Sequence, residues 1–129
     1  MARNVFLSFE AGDVTLVNLF RGQAKNKNND LEFSDYSVKD AFDSQNADYI
    51  RQQITKLIKM ASVTICLIGN DTHKSRWVNW EIGKSAELGK KLLGVRLHSS
   101  DDDIVPKALK DAKAKVLNWD IDAIVKAIG

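Results

Sequence analysis

Val63-Thr64-Ile65-Cys66-Leu67-Ile68 is nearly all apolar. A short run of this kind, without polar alternation, is expected of a central parallel strand covered on both faces. The pattern around it supports that reading. Before it, Asp48 to Ala61 carries Ile50, Ile54, Leu57 and Ile58 at helical spacing, with one apolar face. After it, a second helix is expected from about Arg76 to Leu88, with Gly89 available to end it. Leu92 to Leu97 then reads as another strand.

The same alternation extends to both ends. Arg3 to Phe9 reads as a first strand, followed by Glu10-Ala11-Gly12-Asp13. Asp13 is expected to cap a helix through Leu16, Leu19 and Phe20 that ends near Gly22, with a polar loop from Lys25 to Asp30. Leu31 to Ser34 is a short second strand, and a polar loop runs from Asp35 to Asn46. A short helix is expected after Pro106 and a fifth strand at Val116 to Trp119. Asp120 should cap a last helix lined by Ile121, Ile124, Val125 and Ile128. Strands alternating with helices predict an open five-stranded parallel sheet with helices on both faces, of flavodoxin-like order 2-1-3-4-5. No repeat, low-complexity tract or linker interrupts the chain, so residues 1–129 are expected to form one domain.

Composition narrows the function classes. The 129 residues are 44% hydrophobic and 28% charged, the balance of a soluble globular domain. No apolar run approaches the roughly 20 residues of a membrane-spanning helix. Arg3 and Val5 to Phe9 are too short for a signal peptide and are interrupted by Glu10, so a cytoplasmic location is expected. A net charge of +2 with no basic stripe argues against nucleic acid. The single cysteine, Cys66, excludes an internal disulfide and reads as a core residue. His73 and His98 are far apart with no second ligand at metal spacing. Asp101-Asp102-Asp103 after Ser99-Ser100 reads as a solvated loop, and no metal site is expected.

In the 2-1-3-4-5 order, ligands bind beyond the carboxyl ends of the first and third strands, at Phe9 to Asp13 and Gly69 to His73. The helix after the third strand adds Ser75-Arg76-Trp77-Val78-Asn79-Trp80-Glu81-Ile82. Four residues advance about 40° around a helix, so Trp77 and Glu81 lie on one side. Val78 and Ile82, continued by Ser85 and Gly89, form the neighbouring stripe against the sheet. Glu81 should therefore stand at the border of the core beside an indole, where its charge is poorly solvated. Spacing alone favours an ordinary surface carboxylate near a helix N-terminus, paired with Lys84 or Lys74, and half-buried packing roles for Trp77 and Trp80. Gly83-Lys84-Ser85 lacks the upstream glycine of a phosphate loop and falls inside a helix. A phosphoacceptor receiver is disfavoured because Glu10 and Asp13 are not adjacent and Asp71 lies past the third strand.

These residues resemble a known family. Asn4-Val5-Phe6-Leu7-Ser8-Phe9 is similar to the first strand of TIR and TIR-like domains, which ends in an apolar-Ser-aromatic triplet. Ser62 to Gly69 resembles their third strand. Arg76-Trp77-Val78-Asn79-Trp80-Glu81-Ile82 resembles the tryptophan-to-glutamate helix of NAD-cleaving TIR domains, and Lys84-Ser85, Glu87, Gly89 and Leu93-Gly94-Val95 extend the likeness. The TIR-like ThsB proteins of the Thoeris anti-phage system are the nearest group, over about Arg3 to Leu97. The resemblance implies cleavage of the nicotinamide–ribose bond of NAD, which is the substrate rather than a cofactor, with cyclisation to a messenger in some relatives. It implies a catalytic role for Glu81, ring stacking by Phe9 and Trp77, and ribose contacts from Glu10 and Asp13. Asp35-Tyr36-Ser37 occupies the place of the segment that gates the site and meets neighbouring subunits in TIR domains. The expected partners are NAD, other copies or other TIR proteins, and an effector that senses the product. The loop after the second strand lacks the proline pattern of receptor-type TIR domains. A non-catalytic interaction module and a nucleotide-binding sensor remain as alternatives.

Overall fold

The structure is a computed structural model, which describes residues 3–27, 30–36, 41–98 and 103–129. Five strands, β1 (Arg3–Ser8), β2 (Leu31–Ser34), β3 (Val63–Ile68), β4 (Lys91–Arg96) and β5 (Lys115–Asn118), form one sheet in the order β2-β1-β3-β4-β5. All four pairings are parallel. This is the expected flavodoxin-like sheet. The helices are α1 (Val14–Lys27), α2 (Ala47–Met60), α3 (Arg76–Glu87), α4 (Lys107–Asp111) and α5 (Ile121–Ile128).

Side chains alternate across each strand and so build two cores. Val5, Leu7 and Phe9 of the first strand join Val63, Ile65 and Leu67 of the third on one face, against Val17, Phe20 and Ala24 of α1 and Ile124 of α5. Phe6, Cys66 and Ile68 point the other way, towards α2, α3 and α4. Cys66 is fully buried, and burial pushes its thiol far up, with the charge of Glu81 adding to the effect.

The boundaries of α1 differ from the expectation. Asp13 does not cap it; a 3-10 turn at Ala11–Asp13 comes first, and the Glu10 carboxylate caps that turn by accepting from Gly12 N. The helix also continues through Gly22 to Lys27 rather than ending near Gly22, because Phe20 and Ala24 carry its buried stripe past the glycine. Asp120 caps α5 as expected, accepting from Ala123 N. Ser75 caps α3 through Val78 N, and Gly89, at φ 71, follows its end. Among the described residues, no helix is long and apolar enough to cross a membrane. Ser37, Ser99, Ser100, Asp101 and Asp102 lie outside the described residues.

Candidate active site

Ser8 ends β1 on the face towards α3, and its hydroxyl donates to Glu81 Oε1 at 2.7 Å. Both residues are buried, Glu81 being 1% exposed. The side chain is thus inside the core rather than at its border. It is also not a surface carboxylate, and the Lys84 and Lys74 ammonium groups lie against Glu87 and Asp71. Neighbouring bonds fix the helix around it. Ser85 Oγ donates to the Glu81 carbonyl at 2.9 Å and lies 2.9 Å from Thr64 Oγ1 on β3. A carboxylate buried against the end of a central strand is costly unless hydrogen-bonded, and the Ser8 hydroxyl contributes one such bond.

Trp77 is one turn before Glu81 and only 9% exposed. Its ring is met edge-on by Phe42 at 4.9 Å and by Trp80 at 6.2 Å. Tyr36 packs half-buried in the same cluster with Phe6 of β1. Phe9 does not belong to this group. It is one residue past Ser8, so it points to the opposite face of the sheet, where it is buried in the α1 core with the Arg21 guanidinium 6.0 Å from its ring centroid. The two side chains expected to stack on a ring of the substrate, Phe9 and Trp77, therefore lie on opposite faces of the sheet. Asp35 is held on the Phe9 side by an ion pair with Arg21.

The carboxyl edge of the sheet gathers acidic groups. Asp13 lies against Gly69, where a methyl would overlap its carboxylate, so only glycine leaves that space. Burial first, and then the charge of Glu10, hold the Asp13 carboxyl above its ordinary value; His98 opposes this, while Asp103 and Asp71 add to it. Asp103 is not in a solvated loop. It is buried, 2.7 Å from His98 Nδ1, with its carbonyl accepting from Arg96. Glu10 is committed to its cap on Gly12 N at 2.7 Å. Among the described residues, no group of three metal-ligating side chains converges.

The structure therefore brings together Glu81, Trp77 and Tyr36 on one face, places Glu10 and Asp13 on the acidic edge, and puts Phe9 and Asp35 beside Arg21. Sequence reasoning gave Ser8 no role. The signal was present in the period-2 alternation of β1, which points Phe6 and Ser8 to the face of α3 and Phe9 away from it.

Residues 6–102 match the family described as Thoeris protein ThsB, TIR-like domain. A curated relative from Bacillus cereus (strain MSX-D12), named "Putative cyclic ADP-D-ribose synthase ThsB1", is 33% identical over 106 residues, 79% of this chain and 55% of that protein. The chain thus spans about half the length of that relative. Among solved structures, the Clostridium botulinum CMP N-glycosidase BcmB aligns over 96% of both chains with TM-score 0.61 and 15% identity. The TIR domains of the activated Roq1 resistosome align over 74% of this chain and 57% of theirs, with TM-score 0.52 and 22% identity. Both structures share the fold. The family match covers most of the sheet, both residues of the Ser8–Glu81 bond and the tryptophan-to-glutamate helix, and this chain belongs to the ThsB family of TIR-like domains.

Proposed function

We propose that this protein cleaves the nicotinamide–ribose bond of NAD, with Glu81 as the catalytic carboxylate and a cyclic ADP-ribose-type messenger in anti-phage defence as its product. The observation that carries the reading is the buried carboxylate of Glu81, held by Ser8 at the carboxyl end of the first strand. The name of the Bacillus cereus relative supports the substrate class and the product type.

The chemistry follows from charge. As the bond from ribose C1′ to the pyridine nitrogen breaks, nicotinamide leaves with the bonding pair and the ribose gains oxocarbenium character. A fixed, poorly solvated carboxylate interacts more strongly with that cation than with the ground-state sugar, so its effect falls on the transition state. An adenine nitrogen attacking C1′ gives the cyclic product, while water gives ADP-ribose and a proton. Because Glu81 and Trp77 are buried, the substrate has to displace the cover over Trp77 to reach the carboxylate. That burial also favours a second reading, in which Glu81 is structural and the domain acts by self-association.

Incubation of concentrated protein with NAD, followed by chromatography and mass spectrometry, separates the two. The proposal expects nicotinamide release by the wild type and a loss of about 10²- to 10³-fold in Glu81→Gln, the scale of a deleted electrostatic group, with an unchanged circular dichroism spectrum. Equal turnover by both proteins sinks the enzyme reading.

A further inference from the structure

Two guanidinium groups converge on one phenyl ring where the loop before α2 meets α3. Arg51 Cζ is 4.3 Å from the Phe42 ring centroid and Arg76 Cζ is 4.5 Å from it. The ring in turn covers Trp77, one helical turn before Glu81. Backbone and side-chain bonds hold the loop in place. Arg51 donates to the Phe42 carbonyl at 3.0 Å and to Asp48 at 2.8 Å, and Arg76 donates to Asp43 at 2.5 Å. Asp43 and Asp48 are exposed, so these two ion pairs are weak competitors for a better anion.

A phenyl ring attracts a cation only diffusely at an exposed site, whereas phosphate oxygens take the forked donors of arginine bidentately. The acidic edge cannot serve a diphosphate, since Glu10, Asp13, Asp71 and Asp103 concentrate negative charge there. The arginine side is open and basic. From Arg51 a groove of about 620 Å³ runs between α2 and α3, lined also by Lys56, Lys59, Lys84 and Trp80, with Asp48 on its wall. Lys56 and Lys59 form no ion pair among the described residues, so this wall keeps its positive charge.

We propose that Arg51 and Arg76 are the receptors of the substrate's diphosphate and that Phe42 is the group the diphosphate displaces. The assignment rests on the dinucleotide reading given above. On binding, the guanidiniums exchange the ring for phosphate oxygens, and the released Phe42 uncovers Trp77 beside the carboxylate. The charge pattern then orients the ligand, with the anionic diphosphate at the arginines and the cationic pyridinium towards the acidic edge.

The test titrates the full chain with ADP-ribose and, separately, with inorganic pyrophosphate, by calorimetry and tryptophan fluorescence. The inference expects the wild type to bind both probes. Arg51→Gln with Arg76→Gln should weaken both by about 30-fold or more, as for lost charge-assisted bonds. Phe42→Leu should tighten both by about threefold, because a competitor for the two cations is removed. Neither probe binding to the wild type, unchanged affinity in the arginine variant, or weaker binding in Phe42→Leu overturns the inference. Nicotinamide release is scored apart. Lost pyrophosphate affinity with NAD left intact by the wild type keeps this site and rejects NAD cleavage, while turnover with unaltered probe affinity does the reverse.

Discussion

The two faces of the sheet are built from the same strands yet obey different rules. On the α1/α5 face the buried cluster runs from Val5 and Leu7 to Leu93 and Val95 as apolar side chains, with the Arg21–Asp35 pair beside Phe9 at its rim, and is closed by edge-on contacts of Phe20 with Phe33 at 6.2 Å and Trp119 at 5.8 Å. On the α3 face the same strands bury Ser8 and Thr64, which meet Glu81 and Ser85. An apolar core is sufficient to hold a helix on a sheet, as the first face demonstrates. Burying hydroxyls and a carboxylate instead gives up part of the hydrophobic driving force, and such exceptions cluster where chemistry is performed. Under the proposed function, the contrast separates stability from activity by face.

The comparison breaks if deletions on the apolar face act through activity rather than stability. Phe20 is 1% exposed and central to that face, so Phe20→Ala should cost about 3–5 kcal/mol of unfolding free energy, read from urea melts. Its turnover of NAD per folded molecule, measured well below the lowered melting temperature, should match the wild type. Selective loss of turnover with stability intact would show that the α1 face also takes part in the reaction.

Ser8 sharpens the comparison from the other side. Its hydroxyl touches Glu81, and under the proposed mechanism it is a positioning residue that acts through the carboxylate it holds. Ser8→Ala should lower kcat by about 10- to 100-fold, since one carboxylate oxygen loses its donor and its fixed direction, at a stability cost of about 1–3 kcal/mol. Ser8→Thr, which keeps the hydroxyl, should restore most of kcat. If Ala and Thr lose activity equally while remaining folded, the hydroxyl is only a packing element.

The sheet was legible in the sequence because each strand is short and apolar and each long helix has one apolar stripe, so local pattern and tertiary burial agree. The α1 boundaries were misread where a local rule met a longer one. Asp13 resembles a cap, but Glu10 captures the first free N–H, and the buried stripe through Phe20 and Ala24 carries the helix past Gly22. The candidate site was legible as the helix that carries Glu81 and not as the surroundings of that residue. Helical spacing placed Trp77 beside it, but its depth depends on strand β1, 73 residues away in sequence, through the Ser8 bond. The separation of Phe9 from Trp77 was readable from the alternation of β1, whereas the pairing of Arg51 and Arg76 on Phe42 needed three segments in space.

The smallest expected effect concerns the acidic edge, where the two faces meet beyond the strand ends. Asp13 is held above its ordinary carboxyl value of 3.8, first by burial and then by Glu10. The folded state therefore binds its proton more tightly than the unfolded chain does. The stabilising contribution is fully present below the ordinary value and is lost as pH rises through the elevated one. At neutral pH the ionised Asp13 opposes folding, so Asp13→Asn should raise stability by about 0.5 kcal/mol after allowance for solvent screening. The gain should vanish below about pH 4, the ordinary carboxyl range. Urea melts at pH 7 and pH 3.5 measure the difference. A destabilised Asn variant at pH 7 would mean that the charge of Asp13 is held by a favourable partner, and that the carboxyl edge is organised around it rather than strained by it.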